Sequence, residues 1–364
     1  MLVSKAEITA LKIIALYMDA PAKIPAGERG FALREILERG YLKYNCERTC
    51  LRLTEAGAEI LRRADVHVKE YVPQSGRALE RRIQGSQVAL FLSSLGIDVF
   101  AAKKPTAVSE PVCSPKYLAS AELRRQKSAN VLGMSKFLGL LYTNGATYVV
   151  YNVSDTAEKL YPANDEDVFK RELISANAPA KILYVSERSL LEMAQTVVES
   201  APAENGKQGC TFTQAIRRFN APVSLLSLRE SSDQLRIMLT DDYKEKLARF
   251  MLNVSYSAVT AAFIDAKFKA GYLLVAIDFD VKRLEQALAV IKNLHVLVLA
   301  EQVAALKLLL RDRQAQICTI TAQEAFEVLG IPVLENANLE QFRTQEGVGI
   351  IARKCTNSKT QKHV

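Results

Sequence analysis

The sequence predicts an α/β protein with a small helix-and-hairpin domain in front of a larger α/β domain. Three observations predict it. The first 70 residues interleave two stretches of helical periodicity with a short β-rich pair, "YLKYNCERTCLRL". The remainder alternates apolar β-rich runs with amphipathic helices, as in "HVLVLA" followed by "EQVAALKLLLRDR". The order hairpin, helix, strand, helix is read twice, over 136–199 and 262–313, which suggests an internal duplication.

Residues 1–70 form the first expected domain. Ile8, Leu11, Ile14, Leu16 and Met18 approximate one helix face over 5–19. "DAPAKIPAGERG" breaks that pattern with two Pro and two Gly. A second helix follows in "RGFALREILERG", with Leu33, Ile36 and Leu37 on one face and Gly40 as its C-cap. Two short strands then flank the polar "NCER", and Thr54 caps a helix carrying Ala58 and Leu61. Helix, helix ending in Gly, hairpin, helix is the order of a winged helix-turn-helix. One part is weak: the short helix that precedes a recognition helix would fall in "APAKIPAGE", which is poor helix material.

Residues 71–130 read as a connector: an extended piece over 65–75, a helix from Arg77 to Leu95, Gly96, a strand, and then "KKPTAVSEPVCSPKY" with three Pro. Residues 131–335 read as the α/β domain. "KFLGLLYTNGATYVVYNVSD" is a hairpin turning at Asn144-Gly145. A helix over 164–176, the strand "KILYVS" and a helix over 187–199 follow; "ESAPAENGKQGCT" is a loop; "PVSLLSL" and "QLRIMLT" are strands; "DDYKEKLARFML" is a helix. "AAFIDAKFKAGYLLVAIDFD" is a hairpin, "VKRLEQALAVIKN" a helix, and "AQICTIT" and "QEAFEVLG" a last strand and helix. Residues 336–364 are a loose segment ending in a polar, basic tail.

Composition narrows the function classes. Hydrophobic residues make up 49% and charged residues 24%, the range of a globular protein. There is no Trp, so stacking platforms for single strands are poorly supplied. The net charge of +8 is spread along the chain and permits a polyanionic partner. Six scattered Cys and three His contain no CxxC pair; Cys46 and Cys50 are not followed by a second ligand pair, so reduced thiols are expected, not zinc. No apolar run reaches the roughly 20 residues of a membrane span and the N-terminus lacks a signal-peptide pattern, so a cytoplasmic protein is expected.

Phosphate-loop and dinucleotide motifs are absent, as is a GxSxG elbow, and neither His67 nor His295 has a Cys or Ser partner supplied by the spacing. No cofactor is expected. Two groups of residues remain. One is acidic: Asp265 on the first strand of the late hairpin, with Asp278 and Asp280 at the end of the second, projecting to one face by the period of two. Converging carboxylates of this kind suit Mg²⁺. A nuclease of the Asp…(Asp/Glu)-x-Lys type needs a Lys where Asp280 stands; Lys267 and Lys282 are out of register. Asp280 also precedes "VKRLEQAL" directly, so capping that helix is the competing role. The other group is basic: Arg29, Arg34 and Arg39 on the expected recognition helix, alternating with Glu28, Glu35 and Glu38, and Lys43, Arg48 and Arg52 on the hairpin, with Arg48 at its tip.

"LERGYLKY…LRLTEAGAEILRRA", together with "FIDAKFKAG" and "YLLVAIDFDVKRLEQAL", resembles the replication-relaxation family, winged-helix proteins of plasmids and integrated conjugative elements. The resemblance covers two windows, about 40–64 and 263–300, with Asp265, Asp278 and Asp280 at the family's acidic positions. It implies a DNA-associated accessory role and a nuclease-like fold. The expectation is a non-enzymatic, double-stranded-DNA-binding accessory or regulatory protein of a mobile genetic element. The alternatives are a Mg²⁺-dependent nuclease using Asp265, Asp278 and Asp280, and a protein-interaction or homodimer module on a winged-helix scaffold.

Overall fold

The computed structural model describes residues 3–24, 28–101, 114–126, 137–144, 146–153, 180–199, 216, 221–252, 263–311 and 313–332. The expected helix over 164–176, the loop after Glu199 and the C-terminal tail lie outside them. Among the described residues are eleven α-helices and three sheets, a mixed α/β fold. Met1–Ile331 form one compact unit.

The first module is α1 (Lys5–Tyr17), β1 (Ala20–Pro21), α2 (Glu28–Glu38), β2 (Leu42–Tyr44), β3 (Cys50–Leu53) and α3 (Glu55–Arg63). Ser4 and Glu7 close a capping box on α1. The Pro-rich stretch supplies β1, which pairs antiparallel with β3, so the three-stranded sheet has the order β1-β3-β2. Leu11, Ile14, Leu33, Ile36, Leu51 and Leu61 fill the core between this sheet and its helices.

The phrase "LTEAG" has a local cause. Thr54 donates through Oγ1 to the Gly40 carbonyl (2.8 Å) and accepts from the Gly57 amide (3.1 Å), a cap of the kind that stabilises by about 1 kcal/mol. Gly57 has no Cβ because the Tyr41 carbonyl oxygen would lie 2.4 Å from it. The chain after β3 therefore turns straight into α3 against the start of the hairpin.

Helix α4 (Gly76–Ser94) joins this module to the rest. Its Val88, Phe91 and Leu92 share a core with Ile13 and Tyr17 of α1 and with Tyr117 and Leu138 of the second sheet. The strand expected after Gly96 reduces to one bridge, Asp98 to Lys116. The second sheet contains β4 (Lys116–Ala119), β5 (Phe137–Tyr142), β6 (Thr147–Asn152), β7 (Ala180–Ser186) and β8 (Val223–Ser227), in sequence order. Strands β4 to β6 are antiparallel, and β7 and β8 add in parallel. Helix α5 (Ser120–Gln126) follows β4 and α6 (Leu190–Glu199) follows β7.

"QLRIMLT", expected as a strand, is helical: α7 runs from Ser232 to Met238. Its apolar residues are too few to show a period. Gln234, Leu235, Ile237 and Met238 are all buried, and Leu235 and Met238 stand one turn apart toward the second sheet. Helix α8 (Tyr243–Leu252) follows as expected.

The third sheet has the order β12-β11-β10-β9, built from β9 (Ala266–Phe268), β10 (Gly271–Val275), β11 (Leu294–Leu299) and β12 (Gln316–Ile320). Helices α9 (Val281–Val290), α10 (Val303–Leu310, after a short 3₁₀ turn) and α11 (Ala322–Leu329) intervene. A hairpin extended by two parallel strands thus occurs in both large sheets, β5 to β8 and β9 to β12. Tyr148 and Tyr272 hold matching positions, each facing the start of the next parallel strand. Helices α6 and α10, which follow matching strands, pack on each other. One core, including Tyr151, Tyr184, Leu225, Leu274, Val296 and Leu306, lies between the two sheets. No helix among the described residues is long and apolar enough to cross a membrane.

Candidate functional site

The basic residues of the first module separate into two sets. Arg39 pairs with Glu7 (3.0 Å) and Glu35 (3.1 Å), tying α2 to the N-terminus of α1. Arg52 donates from Nε to Asp19 Oδ1 (2.9 Å) and lies over the Tyr71 ring, 4.5 Å from its centroid. Their guanidinium groups are thus engaged inside the protein, which the sequence pattern did not show. Arg34 has a partner of its own, and the Arg29 side chain lies outside the described residues. Lys43 and Arg48 are exposed on the hairpin. Arg48 takes a left-handed backbone (φ 54°) in the turn over 45–49, where Asn45 Oδ1 accepts from the amides of Thr49 and Cys50. The hairpin thus presents two cations at its outer end, with Tyr44 beside them 40% exposed.

Asp19 is a hub that the sequence did not reveal. It is fully buried, between α1 and β1. Its carboxylate accepts from Arg52, from Arg82 Nη1 of α4 (3.0 Å), from the Tyr71 hydroxyl (3.1 Å) and from the Cys50 thiol (3.5 Å). One carboxylate therefore fixes the hairpin strand, the extended 65–75 segment and α4 to each other.

The three late acids are all buried, but they do not share one face. Strand β10 ends at Val275, and the chain turns before Asp280: the Phe279 amide donates to the Ala276 carbonyl (2.9 Å), and Phe279 has φ 49°, a strained backbone for a buried aromatic. The period of two therefore fails between Asp278 and Asp280. Asp280 caps α9; its Oδ1 accepts from the amides of Lys282 (3.1 Å) and Arg283 (3.0 Å), and also from Val223 at the start of β8 (3.1 Å). The Phe279 carbonyl accepts from Leu225 (3.3 Å), so this loop joins the third sheet to the second. Asp265, just before β9, accepts from Arg283 Nη2 (2.7 Å) and from the Val275 amide (2.7 Å). Asp278 pairs through Oδ2 with Lys244 Nζ of α8 (2.6 Å). Among the described residues its buried Oδ1 has no hydrogen-bond partner.

Charge and burial oppose each other here. Burial alone would raise Asp278, but the charges of Lys244 and Arg283 outweigh it and hold the carboxyl below its usual value. Asp280 is raised, by burial first and then by the charge of Asp278. Burial and the Asp278 charge also push the Tyr243 phenol well above its ordinary value. Lys244, Arg283, Lys181 and Tyr243 complete this cluster, and none was picked out from sequence. For Tyr243, Lys244 and Arg283 the sequence held one hint, a position one to three residues into a helix that follows acidic residues; Lys181, after "SANAPA", had none. Asp265 uses both carboxylate oxygens and Asp280 its Oδ1, and among the described residues no group of three or more His, Cys, Asp or Glu is placed to hold a metal ion. The arrangement can neutralise buried charge and join two sheets.

His295, read without a partner, lies on β11 with Nδ1 4.0 Å from Cys318 Sγ of β12 and with Phe268 edge-on to its ring. Burial pushes the Cys318 thiol up, away from the thiolate that nucleophilic chemistry needs.

The fold and these two groups of residues define a mixed α/β protein with a small basic hairpin and a buried ionic seam. No protein-family model matches the chain, and no curated protein and no solved structure matches it either.

Proposed function

We propose that the chain is a non-enzymatic protein that associates with double-stranded DNA, as an accessory or regulatory factor, through its N-terminal module. The observation that carries this reading is the sheet order β1-β3-β2 laid between α1, α2 and α3. A winged helix closes its helices in this way, with one strand from between the first two helices and a hairpin after the last. Among the described residues β1 is the element between α1 and α2, and on this reading the hairpin, with Lys43 and Arg48 exposed, carries the contact to the phosphate backbone. The net charge of +8 favours the same partner. The resemblance to the replication-relaxation family adds a mobile genetic element as the setting.

A second reading, a protein-interaction or homodimer module, is favoured by α2, whose Arg39 is held by Glu7 and Glu35. Titration of labelled duplex DNA across salt separates the two. DNA association predicts binding at about 50 mM salt that weakens log-linearly as salt rises. Absence of binding at that salt, with self-association by light scattering, would favour the interaction module instead.

A further inference from the structure

The Asp19 hub carries more positive than negative charge. Arg52 and Arg82 sit on the two oxygens of its one carboxylate, Arg52 through Nε on Oδ1 (2.9 Å) and Arg82 through Nη1 on Oδ2 (3.0 Å). Asp19 is fully buried, whereas the two arginine side chains keep 24% and 20% of their surface in water. An anion arriving from solvent therefore meets guanidinium groups, with the carboxylate behind them. Arg52 reaches Asp19 through Nε alone, and its guanidinium rests on the Tyr71 ring. Arg82 spends Nη1 on Asp19 and on the Val72 carbonyl (2.8 Å). Lys43 stands directly opposite Arg52 in the hairpin, which puts the two on one face of it. Lys69 and Glu70, exposed beside Tyr71, offset each other.

We propose that Arg52 and Arg82, set side by side on Asp19, form a phosphate-binding site that takes a backbone phosphate diester of bound duplex DNA. The proposal rests on the reading of the N-terminal module as a DNA-associating one and deepens it: the contact runs from the hairpin tip along the face of Lys43 and Arg52 to α4.

The chemistry suits that ligand. With Nε on a carboxylate, a guanidinium keeps its two Nη groups as a planar fork, which matches two oxygens of a phosphate. Arg82 brings a second guanidinium from another element, and Lys43 adds a point charge. Asp19 is a positioning residue. It holds both arginines in place before the anion arrives, so less side-chain freedom is lost on binding. Inorganic phosphate offers the same oxygens and probes the site apart from DNA.

Two measurements on the full chain test the site. The first is duplex affinity against salt for the parent, Arg82→Gln and Arg82→Lys. Arg82→Gln removes a charge and should lower the slope of log affinity on log salt by about 0.9. Arg82→Lys also loses the fork on Asp19 but keeps the charge, and should keep the parent's slope; a purely structural role would move both variants together. The second is a titration of the parent with sodium phosphate, against sodium chloride at equal ionic strength, followed by the arginine Nε–H resonances in NMR. Those of Arg52 and Arg82 should shift with phosphate and stay in place with chloride. The same resonances, followed as a short duplex is added, decide the point if the Arg82 variants do not fold: no shift overturns the site. Phosphate shifts in a parent that binds no duplex would sink the DNA reading and leave the phosphate site standing. Duplex binding with an unchanged slope in Arg82→Gln, and no shift under phosphate, would overturn the site and leave the DNA reading standing. Phosphate shifts with an unchanged slope would make free phosphate the occupant and overturn the proposal as stated.

Discussion

Asp19→Ala should be among the most damaging single changes in the first module. The carboxylate is fully buried and accepts from four donors on three separate segments. Removing one partner of a buried charge network costs about 3–5 kcal/mol, most of it from the charges left behind. Arg52 and Arg82 keep 24% and 20% of their side-chain surface in water, so each can recover part of its hydration once Asp19 is gone. That places the expected loss near the lower end, about 3 kcal/mol. In a unit running from Met1 to Ile331 it lowers the melting temperature by roughly 4 °C. Asp19→Asn keeps one acceptor oxygen and the shape while losing the charge, and should fall about midway. Circular-dichroism melts of the three proteins measure this, and hydrogen exchange locates it. Amides of β3 and of the 65–75 segment should lose protection before those of the second sheet. If Asp19→Ala melts within about 1 °C of the parent, with β3 protection unchanged, the hub does not hold the module together.

Other perturbations probe the two large sheets. Gly139→Ala should cost about 2 kcal/mol, because the new Cβ would meet the Leu118 carbonyl oxygen at 2.6 Å and Tyr117 Cζ at 2.5 Å, and backbone cannot step aside; chemical denaturation measures it. Acid stability should depend on Asp278. Its folded value lies below the unfolded one, so its contribution is present above about pH 4 and is lost as pH falls further through the folded value. Asp278→Asn should therefore flatten the acid limb of a stability-against-pH curve, with Asp280, shifted the other way, opposing part of the change. An unchanged acid limb would mean that the Lys244 pair does not shift Asp278 in solution. Millimolar Mg²⁺ or Mn²⁺ should leave both the melting temperature and supercoiled DNA unchanged, since Asp265 and Asp280 already have partners. Cleavage that disappears in Asp265→Ala would restore the nuclease alternative.

Much of the element order was legible because local chemistry decides it. Thr54 as the cap of the helix carrying Ala58 and Leu61, the turn at Asn144, and Asp280 ahead of "VKRLEQAL" each act within a few residues, and each was found where expected. Errors arose where tertiary context decides. "QLRIMLT" carries a strand-like apolar run, yet it follows a sharp turn at 228–230 and buries two residues one helical turn apart. The face shared by Asp278 and Asp280 assumed that β10 continues, and the left-handed Phe279 ends that periodicity. The roles of Arg39 and Arg52 depend on Glu7 and Asp19, each more than thirty residues away in sequence, and Lys244 reaches Asp278 over a similar separation. Periodicity shows which face is polar; it does not show which distant residue will meet it.

The central claim is that the exposed hairpin cations bring the chain to duplex DNA. Its most direct test is the salt dependence of binding by the parent chain and by a Lys43→Glu, Arg48→Glu double variant of unchanged melting temperature. The account predicts a linear fall of log affinity with log salt for the parent. Loss of two phosphate contacts should reduce that slope by about 1.8 and weaken binding alike on unrelated sequences. A double variant that binds with the parent's affinity and slope would contradict it.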